Sequence, residues 1–290
     1  MPMTLIELIE REARRLDAAG LAFGHGTANA FDEAAWLVQW SLGFPVDTLE
    51  DHEQRPVSEA EATQATELID RRIATRQPAA YLTREAWLQG VPFYVDERAI
   101  VPRSFIAELI ADASIDFWLD DRTHRALDLC TGNGSLAVLA AMAWPELRID
   151  ASDLSADALA VARINVEQHA LQERITLLQG PGLTALSGPY DLILCNPPYV
   201  NAASMAVLPA EYRAEPELAL ASGEDGMDFI RGLLADAPRV MSPNAVLVLE
   251  IGNEREHFEN AFPQLEAVWL ATSAGEDQVL LLTRDALVCA

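Results

Sequence analysis

The sequence predicts an α/β fold: a doubly wound, mostly parallel seven-stranded sheet ending in an antiparallel hairpin and preceded by a small helical domain. Three observations lead there. From about Ser104 onward, short apolar runs alternate with helix-period segments, the pattern of strands joined by crossover helices. The first third carries helix patterns and helix-start signals instead. Near the end, two apolar runs are joined by Ser-Ala-Gly-Glu-Asp, short enough for an antiparallel return. Half of the residues are hydrophobic (50%), ample for a core.

In chain order, Thr4-Leu-Ile-Glu7 forms a capping box that opens a helix running to about Ala19, where Gly20 stops it. A second helix fits Ala30 to Leu42, with Gly43 after it. Ser58-Glu-Ala-Glu61, another capping box, opens a third that runs to about Thr75. Gln77 to Pro102, punctuated by Pro78, Pro92 and Pro102 with alternating Trp87, Phe93, Val95 and Ile100, suits a short β-hairpin. Strands then follow at Arg125–Leu129, Leu147–Ala151, Ile175–Leu178, Tyr190–Leu194, Ala245–Glu250, Leu265–Thr272 and Gln278–Thr283. Between them, Leu136–Ala143, Ala156–His169, Met227–Ala237 and Glu254–Phe262 read as helices. In such sheets ligands bind beyond the C-terminal strand ends, so the loops after Leu129, Ala151 and Leu194 are the ones to examine for chemistry.

Composition removes several functions. The 290 residues include 45 Asp plus Glu against 20 basic residues, a formal charge of −25, and every basic residue is Arg. Without Lys there is no Schiff-base chemistry, no P-loop and no protein-kinase site. The acidic balance opposes nucleic-acid binding and favours a basic partner, although a solvated surface is the plain alternative. No apolar run approaches the roughly 20 residues that span a bilayer, and the first fifteen residues lack the apolar centre of a signal peptide. The cysteines, Cys130, Cys195 and Cys289, are odd in number, far apart in the chain and in no metal-ligand spacing; they suggest a reducing cytoplasm.

The turn Asp128-Leu-Cys130-Thr131-Gly132-Asn133-Gly134 lies where a strand gives way to a helix. Gly132-Asn-Gly134-Ser-Leu-Ala137 matches the loose dinucleotide pattern, a weak signal by itself. Asp128 would repel a pyrophosphate but suits a cofactor with positive charge, and Asp153 after the next strand is placed to accept ribose hydroxyls. S-adenosylmethionine fits both; an ordinary glycine turn is the alternative. Asn196-Pro197-Pro198-Tyr199 follows the strand Tyr190–Leu194. Two prolines cannot continue a ladder, so the chain leaves the sheet as a stiff loop. The Asn196 side-chain carbonyl and the Pro197 backbone carbonyl can together accept both hydrogens of a planar amino group, with Tyr199 against its face. Methyl transfer to such a nitrogen needs these acceptors as charge develops, and needs alignment with the methyl carbon.

With these two motifs the chain resembles the HemK/Prm family of class I S-adenosylmethionine-dependent methyltransferases, Rossmann-like enzymes that methylate glutamine side chains at the amide nitrogen. Pro78-Ala-Ala-Tyr-Leu82, Phe93-Tyr-Val-Asp96, Val101-Pro-Arg103 with Glu108, and Glu211-Tyr-Arg213-Ala-Glu215-Pro216 through Gly223 extend the resemblance over nearly the whole chain. Gly24-His-Gly-Thr-Ala-Asn29, Val101-Pro-Arg-Ser104 and Glu211-Tyr-Arg213 are similar to the subgroup that acts on the third protein of the large ribosomal subunit. The release-factor subgroup more often shows Pro-Arg-Pro followed by an acid. The resemblance implies a helical recognition domain over residues 1–84, a hairpin linker over 85–103 and a methyltransferase domain over 104–290. It implies cofactor binding by Asp128, Cys130, Thr131, Gly132, Asn133, Gly134, Asp153 and Asn196, and catalysis by Asn196, Pro197, Pro198 and Tyr199. One departure stands out: Gln179-Gly-Pro181-Gly occupies the place where relatives carry an acid near adenine, leaving backbone groups or Gln179 to read the base. Release-factor methylation, methylation of a DNA or RNA amino group, and a non-enzymatic ribosome assembly role remain as alternatives.

Overall fold

The computed structural model describes residues 3–184 and 186–289; Met1 and Pro2, at the head of the expected first helix, lie outside them. The chain divides into two units, residues 1–86 with 209–215, and residues 87–208 with 216–290. The segment 209–215 packs with the smaller unit, although no local pattern marks it out.

The smaller unit is helical: α1 (Leu5–Ala18), α2 (Ala30–Ser41), α3 (Leu49–His52), α4 (Glu59–Thr75) and α5 (Ala79–Thr83). Both capping boxes form, Thr4 with Glu7 and Ser58 with Glu61. Each satisfies two backbone N–H groups that have no partner within the helix. Leu5, Leu8, Ile9 and Leu16 on α1, Ala34, Leu37 and Val38 on α2, and Ala65 and Ile69 on α4 are buried at helical spacing.

The larger unit takes the hairpin β1 (Ala86–Leu88) and β2 (Val91–Phe93), then α6 (Ile106–Ala111), β3 (Arg125–Leu129), α7 (Ser135–Ala143), β4 (Arg148–Asp153), α8 (Ala156–Gln168), β5 (Ile175–Gln179) and β6 (Tyr190–Cys195). The short helices α9 (Ala202–Val207) and α10 (Ala210–Arg213) follow, and α10 belongs to the smaller unit. The chain finishes with α11 (Asp228–Val240), β7 (Met241–Glu250), α12 (Arg255–Ala261), β8 (Val268–Thr272), β9 (Gly275–Thr283) and α13 (Arg284–Cys289). The strand order of the seven-stranded sheet is β5-β4-β3-β6-β7-β9-β8. Pairing is parallel from β5 to β7 and antiparallel for β7 with β9 and β9 with β8, as expected for the terminal hairpin.

The apolar runs are continuous because the sheet is covered on both faces. Along β6, Leu192 and Leu194 enter one core cluster while Ile193 and Cys195 enter the other. Along β7, Val246 and Val248 part from Leu247 and Leu249 in the same way, following the two-residue period of a strand. The one- and two-turn helices were not expected, since segments of four to six residues carry too little periodicity. The chain moves outward from β3 through β4 to β5, then jumps back to β6 on the other side of β3. That reversal opens a crevice at the C-terminal ends of β3, β4 and β6, where an open α/β sheet takes its ligand.

Candidate active site

A cavity of about 390 Å³ sits at this reversal. Its wall takes Leu129, Cys130 and Gly132 from the end of β3, Ser152, Asp153 and Ser155 from β4, Gly180, Pro181 and Gly182 after β5, and Asn196 and Pro198 after β6. The sequence-predicted residues Cys130, Gly132, Asp153, Asn196 and Pro198 therefore share one space. Asp128, Thr131, Asn133, Gly134, Pro197 and Tyr199 are not among the residues that line it.

Asp128 is fully buried. Its Oδ2 accepts the Thr131 hydroxyl and the Ala137 N–H (3.0 Å), while Oδ1 has no hydrogen-bond partner. Ala137 is the third residue of α7, whose N-cap, Gly134, has no side chain to cap with. Asp128 therefore caps α7 from the preceding strand and braces the turn from within, a role that local sequence does not disclose. The turn is also held to the neighbouring strand, with Thr131 N–H donating to the Ser152 carbonyl at 3.0 Å. Gly134 lies so close to α8 that a Cβ would meet Ala162 Cβ at 3.1 Å. Cys130 carries a φ of 61°, a left-handed conformation uncommon for a residue with a side chain and one that clusters at functional sites.

Asp153 accepts backbone N–H groups from Gly132 (2.9 Å) and Ser155 (2.8 Å). Burial outweighs these bonds and holds its carboxyl above the usual carboxylate range. Each oxygen keeps a lone pair for a ligand hydroxyl. Gln179 turns its amide to the Leu154 carbonyl (3.3 Å) and is not part of the wall; Gly180, Pro181 and Gly182 present backbone there instead. Among the described residues that line the cavity, Arg98 is the one cationic side chain, and Asp96 engages its Nε and Nη2 at 2.8 and 2.6 Å, which leaves little to attract a phosphate. Asn196 lines the cavity, and among the described residues none hydrogen-bonds its side chain.

Tyr199 has a packing role that the sequence does not disclose. Its ring packs with the core under the sheet's C-terminal edge and against Gly252, and its hydroxyl lies 3.5 Å from Glu250 Oε1. A Cβ at Gly252, whose φ is 54°, would meet Tyr199 Cε2 at 2.6 Å. Gly252→Ala is therefore expected to displace the ring and the loop before it. Turnover should fall about tenfold or more, since near-attack geometry tolerates little displacement, while cofactor affinity measured by calorimetry stays unchanged.

Glu250 went unnoticed in the sequence. It ends β7 and is fully buried; Oε2 accepts the Ser104 hydroxyl (2.6 Å) and the Phe105 N–H (2.9 Å). Only an acid closing an otherwise apolar strand, Ala245–Glu250, could have flagged it. Burial pushes both Asp128 and Glu250 up to about 7. Each group binds its proton more tightly in the folded chain, so its contribution to stability is complete below the ordinary carboxylate value and is lost as pH rises through 7. Without cofactor, the unfolding free energy from denaturant titrations should decline between about pH 4.5 and 7 on this account. The Glu250→Gln protein should show a shallower decline; an identical slope would remove Glu250 from the account. The carboxyls of Glu61, Asp96 and Asp225, lowered to about 2 by arginine partners and backbone or hydroxyl hydrogen bonds, act below that window.

The structure also brings together two cysteines that are distant in sequence. Leu129, just before Cys130, pairs with Cys195, and burial together with a hydrogen bond to Cys130 pushes the Cys195 thiol well above its usual range. Among the described residues there is no cluster suited to a metal ion, and no helix is long and apolar enough to cross a membrane.

A crevice walled largely by backbone and apolar groups, with the Asp153 carboxylate in its wall and, among the described residues, no partner for the buried Asp128 Oδ1, suits a nucleoside that carries positive charge rather than a pyrophosphate. Together with the sheet order, this defines the class: a class I methyltransferase that uses S-adenosylmethionine. A model of the PrmC N-terminal domain matches residues 7–83, and one of the methyltransferase small domain matches residues 115–211. The chain is 55% identical over 287 residues to the ribosomal protein uL3 glutamine methyltransferase of Bordetella pertussis, covering 98% of this chain and 96% of that protein. It is 51% identical to the protein of the same name from Burkholderia pseudomallei, covering 96% and 94%. The solved catalytic domain of hMettl16, in complex with a MAT2A 3'UTR hairpin, shares the fold with a TM-score of 0.52 at 14% identity, over 78% of this chain and 81% of that one. The chain belongs to the family of ribosomal protein uL3 glutamine methyltransferases.

Proposed function

We propose that the chain transfers a methyl group from S-adenosylmethionine to the side-chain amide nitrogen of a glutamine in ribosomal protein uL3, with the loop Asn196–Tyr199 as the amide-binding site. The observation that carries this reading is Asn196, which lines the cavity with its side chain unpartnered among the described residues, beside two prolines that stiffen the loop. The near full-length likeness to relatives named for uL3 supports the choice of substrate. So does the formal charge of −25, which suits a basic protein and opposes a nucleic acid.

When bound, S-adenosylmethionine supplies an electrophilic methyl group on a sulfonium. Asp153 would hold its ribose hydroxyls, and the turn Cys130–Gly134 with the backbone of Gly180–Gly182 would enclose the rest. Asn196 Oδ1 and the Pro197 carbonyl accept the two hydrogens of the glutamine amide. This orients the nitrogen and stabilises the positive charge that develops as its lone pair leaves conjugation with the carbonyl. The surplus proton departs after transfer, so no strong general base is required. Pro198 lines the cavity beside this point, and Tyr199, seated on Gly252, fixes the end of the loop.

The test is incubation with labelled S-adenosylmethionine and purified uL3, followed by mass-spectrometric mapping. One methyl group on one glutamine is the expected result. Label on a release factor or on nucleic acid, with none on uL3, would refute the substrate assignment.

A further inference from the structure

One stripe of α11 forms part of the cavity wall. Phe229, Gly232, Leu233 and Asp236 all line the cavity, and their spacing of three, four and seven residues puts them on a single helical face. A buried stripe of this kind is ordinarily apolar throughout. Here it carries a glycine and an acid. Gly232 is the fifth of thirteen helical residues, a position where glycine is less favourable than alanine. A Cβ built there would meet no neighbouring atom within 4 Å, so packing within the chain does not demand the glycine. What its missing side chain provides is room at the cavity wall.

The carboxylate on the same stripe is without a partner. The cavity wall holds three aspartates. Asp153 accepts the Gly132 and Ser155 N–H groups, and Asp228 Oδ1 lies 3.2 Å from Arg231 Nη1. Asp236 makes no hydrogen bond or ion pair among the described residues. The stretch after β5, Gln179-Gly180-Pro181-Gly182, brings no side-chain acceptor to the wall, since Gln179 does not line the cavity. Three backbone carbonyls nearby are already in use. That of Asp153 accepts the Gly180 N–H at 3.1 Å, that of Pro181 accepts the Thr184 hydroxyl at 2.8 Å, and that of Leu183 accepts Arg239 Nη2 at 2.6 Å. The last of these bonds ties α11 to the loop after β5. All of these residues belong to the larger unit.

We propose that this stripe of α11 recognises the adenine of S-adenosylmethionine. The Asp236 carboxylate accepts a hydrogen of the exocyclic amino group, and Gly232 leaves space for the purine ring beside the apolar side chains of Phe229 and Leu233. An amino group taken out of water keeps its affinity only when its hydrogens find acceptors. A carboxylate also discriminates. Hypoxanthine presents an oxygen where adenine presents that nitrogen, which sets two acceptors against each other. Asp236 is thus a specificity-determining residue, supplied by a helix and not by the loop after β5. The assignment rests on Asp153 as the ribose carboxylate.

Calorimetry on the full chain without uL3, using S-adenosylhomocysteine and S-inosylhomocysteine, tests it. The two ligands differ by the exchange of the purine amino group for an oxo group. The parent protein should prefer the adenosyl compound by about tenfold or more. Asp236→Ala should raise the Kd of that compound about ten- to a hundredfold, and that of the inosyl compound by about threefold at most. Asp236→Asn, whose amide both accepts and donates, should bind the two with similar affinity. Gly232→Leu should weaken both ligands by about tenfold or more. Its unfolding temperature without ligand should equal or exceed that of the parent, because leucine is the better helix former. For Asp236→Ala, a Kd for S-adenosylhomocysteine within about twofold of the parent, or equal losses for both ligands, would overturn the role of Asp236. Unchanged binding in Gly232→Leu would overturn that of the stripe. Flat responses in both Asp236→Ala and Asp153→Asn would sink the seating of the whole nucleoside, and the identity of the methyl acceptor enters none of these outcomes.

Discussion

Replacing Asn196 by alanine should lower turnover on uL3 by about two to three orders of magnitude, the cost of removing one preorganised acceptor of developing charge. The planar amide is a poor nucleophile because its lone pair is shared with the carbonyl. As the nitrogen takes the methyl group, its hydrogens become more acidic, and an acceptor aimed at them strengthens in the transition state more than in the ground state. The effect therefore belongs in kcat, with little change in cofactor affinity. The Asn196 side chain makes no hydrogen bond among the described residues, so its loss breaks nothing structural that could mimic the effect. Single-turnover rates with saturating substrate, alongside calorimetric cofactor binding, make the measurement. An unchanged rate would remove Asn196 from the mechanism.

Asp153→Asn should act on cofactor binding instead. A carboxylate accepting hydroxyl hydrogens contributes roughly 1.5–3 kcal/mol for such a charged hydrogen bond. The cofactor Kd should therefore rise about ten- to a hundredfold, while kcat at saturating cofactor stays close to that of the parent. The pH dependence supplies a second reading. Burial holds the Asp153 carboxyl above the ordinary range, so affinity should fall on acidification at a higher pH than an ordinary aspartate would dictate. The ionised form is the stronger acceptor, and protonation converts one oxygen into a donor. In Asp153→Asn that acid limb should vanish. A Kd within twofold of the parent would refute the ribose assignment.

Much of this molecule is legible locally. Both helix-opening capping boxes, at Thr4 and Ser58, are four-residue patterns that need no tertiary partner. The strand β3 coincides with the expected run Arg125–Leu129, because a strand covered on both faces is rich in apolar residues on each. The loops at Asp128–Gly134 and Asn196–Tyr199 follow strand ends, and parallel order alone brings them to the same edge of the sheet. Edges are less well marked: β7 starts at Met241, ahead of the expected Ala245, through polar residues that carry no apolar signal.

The site is less legible than the sheet. Asp128 reads as a cofactor ligand from its place before a glycine turn; in the structure its carboxylate caps α7, since Gly134 at the N-cap has no side chain for the task. Tyr199 reads from the sequence as a ring that can lie against the face of the amino group; that it also seats on Gly252, a residue far along the chain, is visible only in the fold. Glu250 and the neighbouring cysteines, Cys130 and Cys195, acquire meaning only when β3, β6 and β7 lie side by side.

By itself, the sequence determined the α/β class, the terminal hairpin, the helical first third, the reaction chemistry and the exclusion of everything that needs a lysine. These rest on periodicity, residue type and short spacing, which are properties of neighbours along the chain. Tertiary structure decided which carboxylate lines the cavity and which caps a helix, where the Tyr199 ring goes, and that residues 209–215 pack with the smaller unit. Those are contacts between residues distant in sequence, and the burial that gives them their strength exists only once the chain has folded.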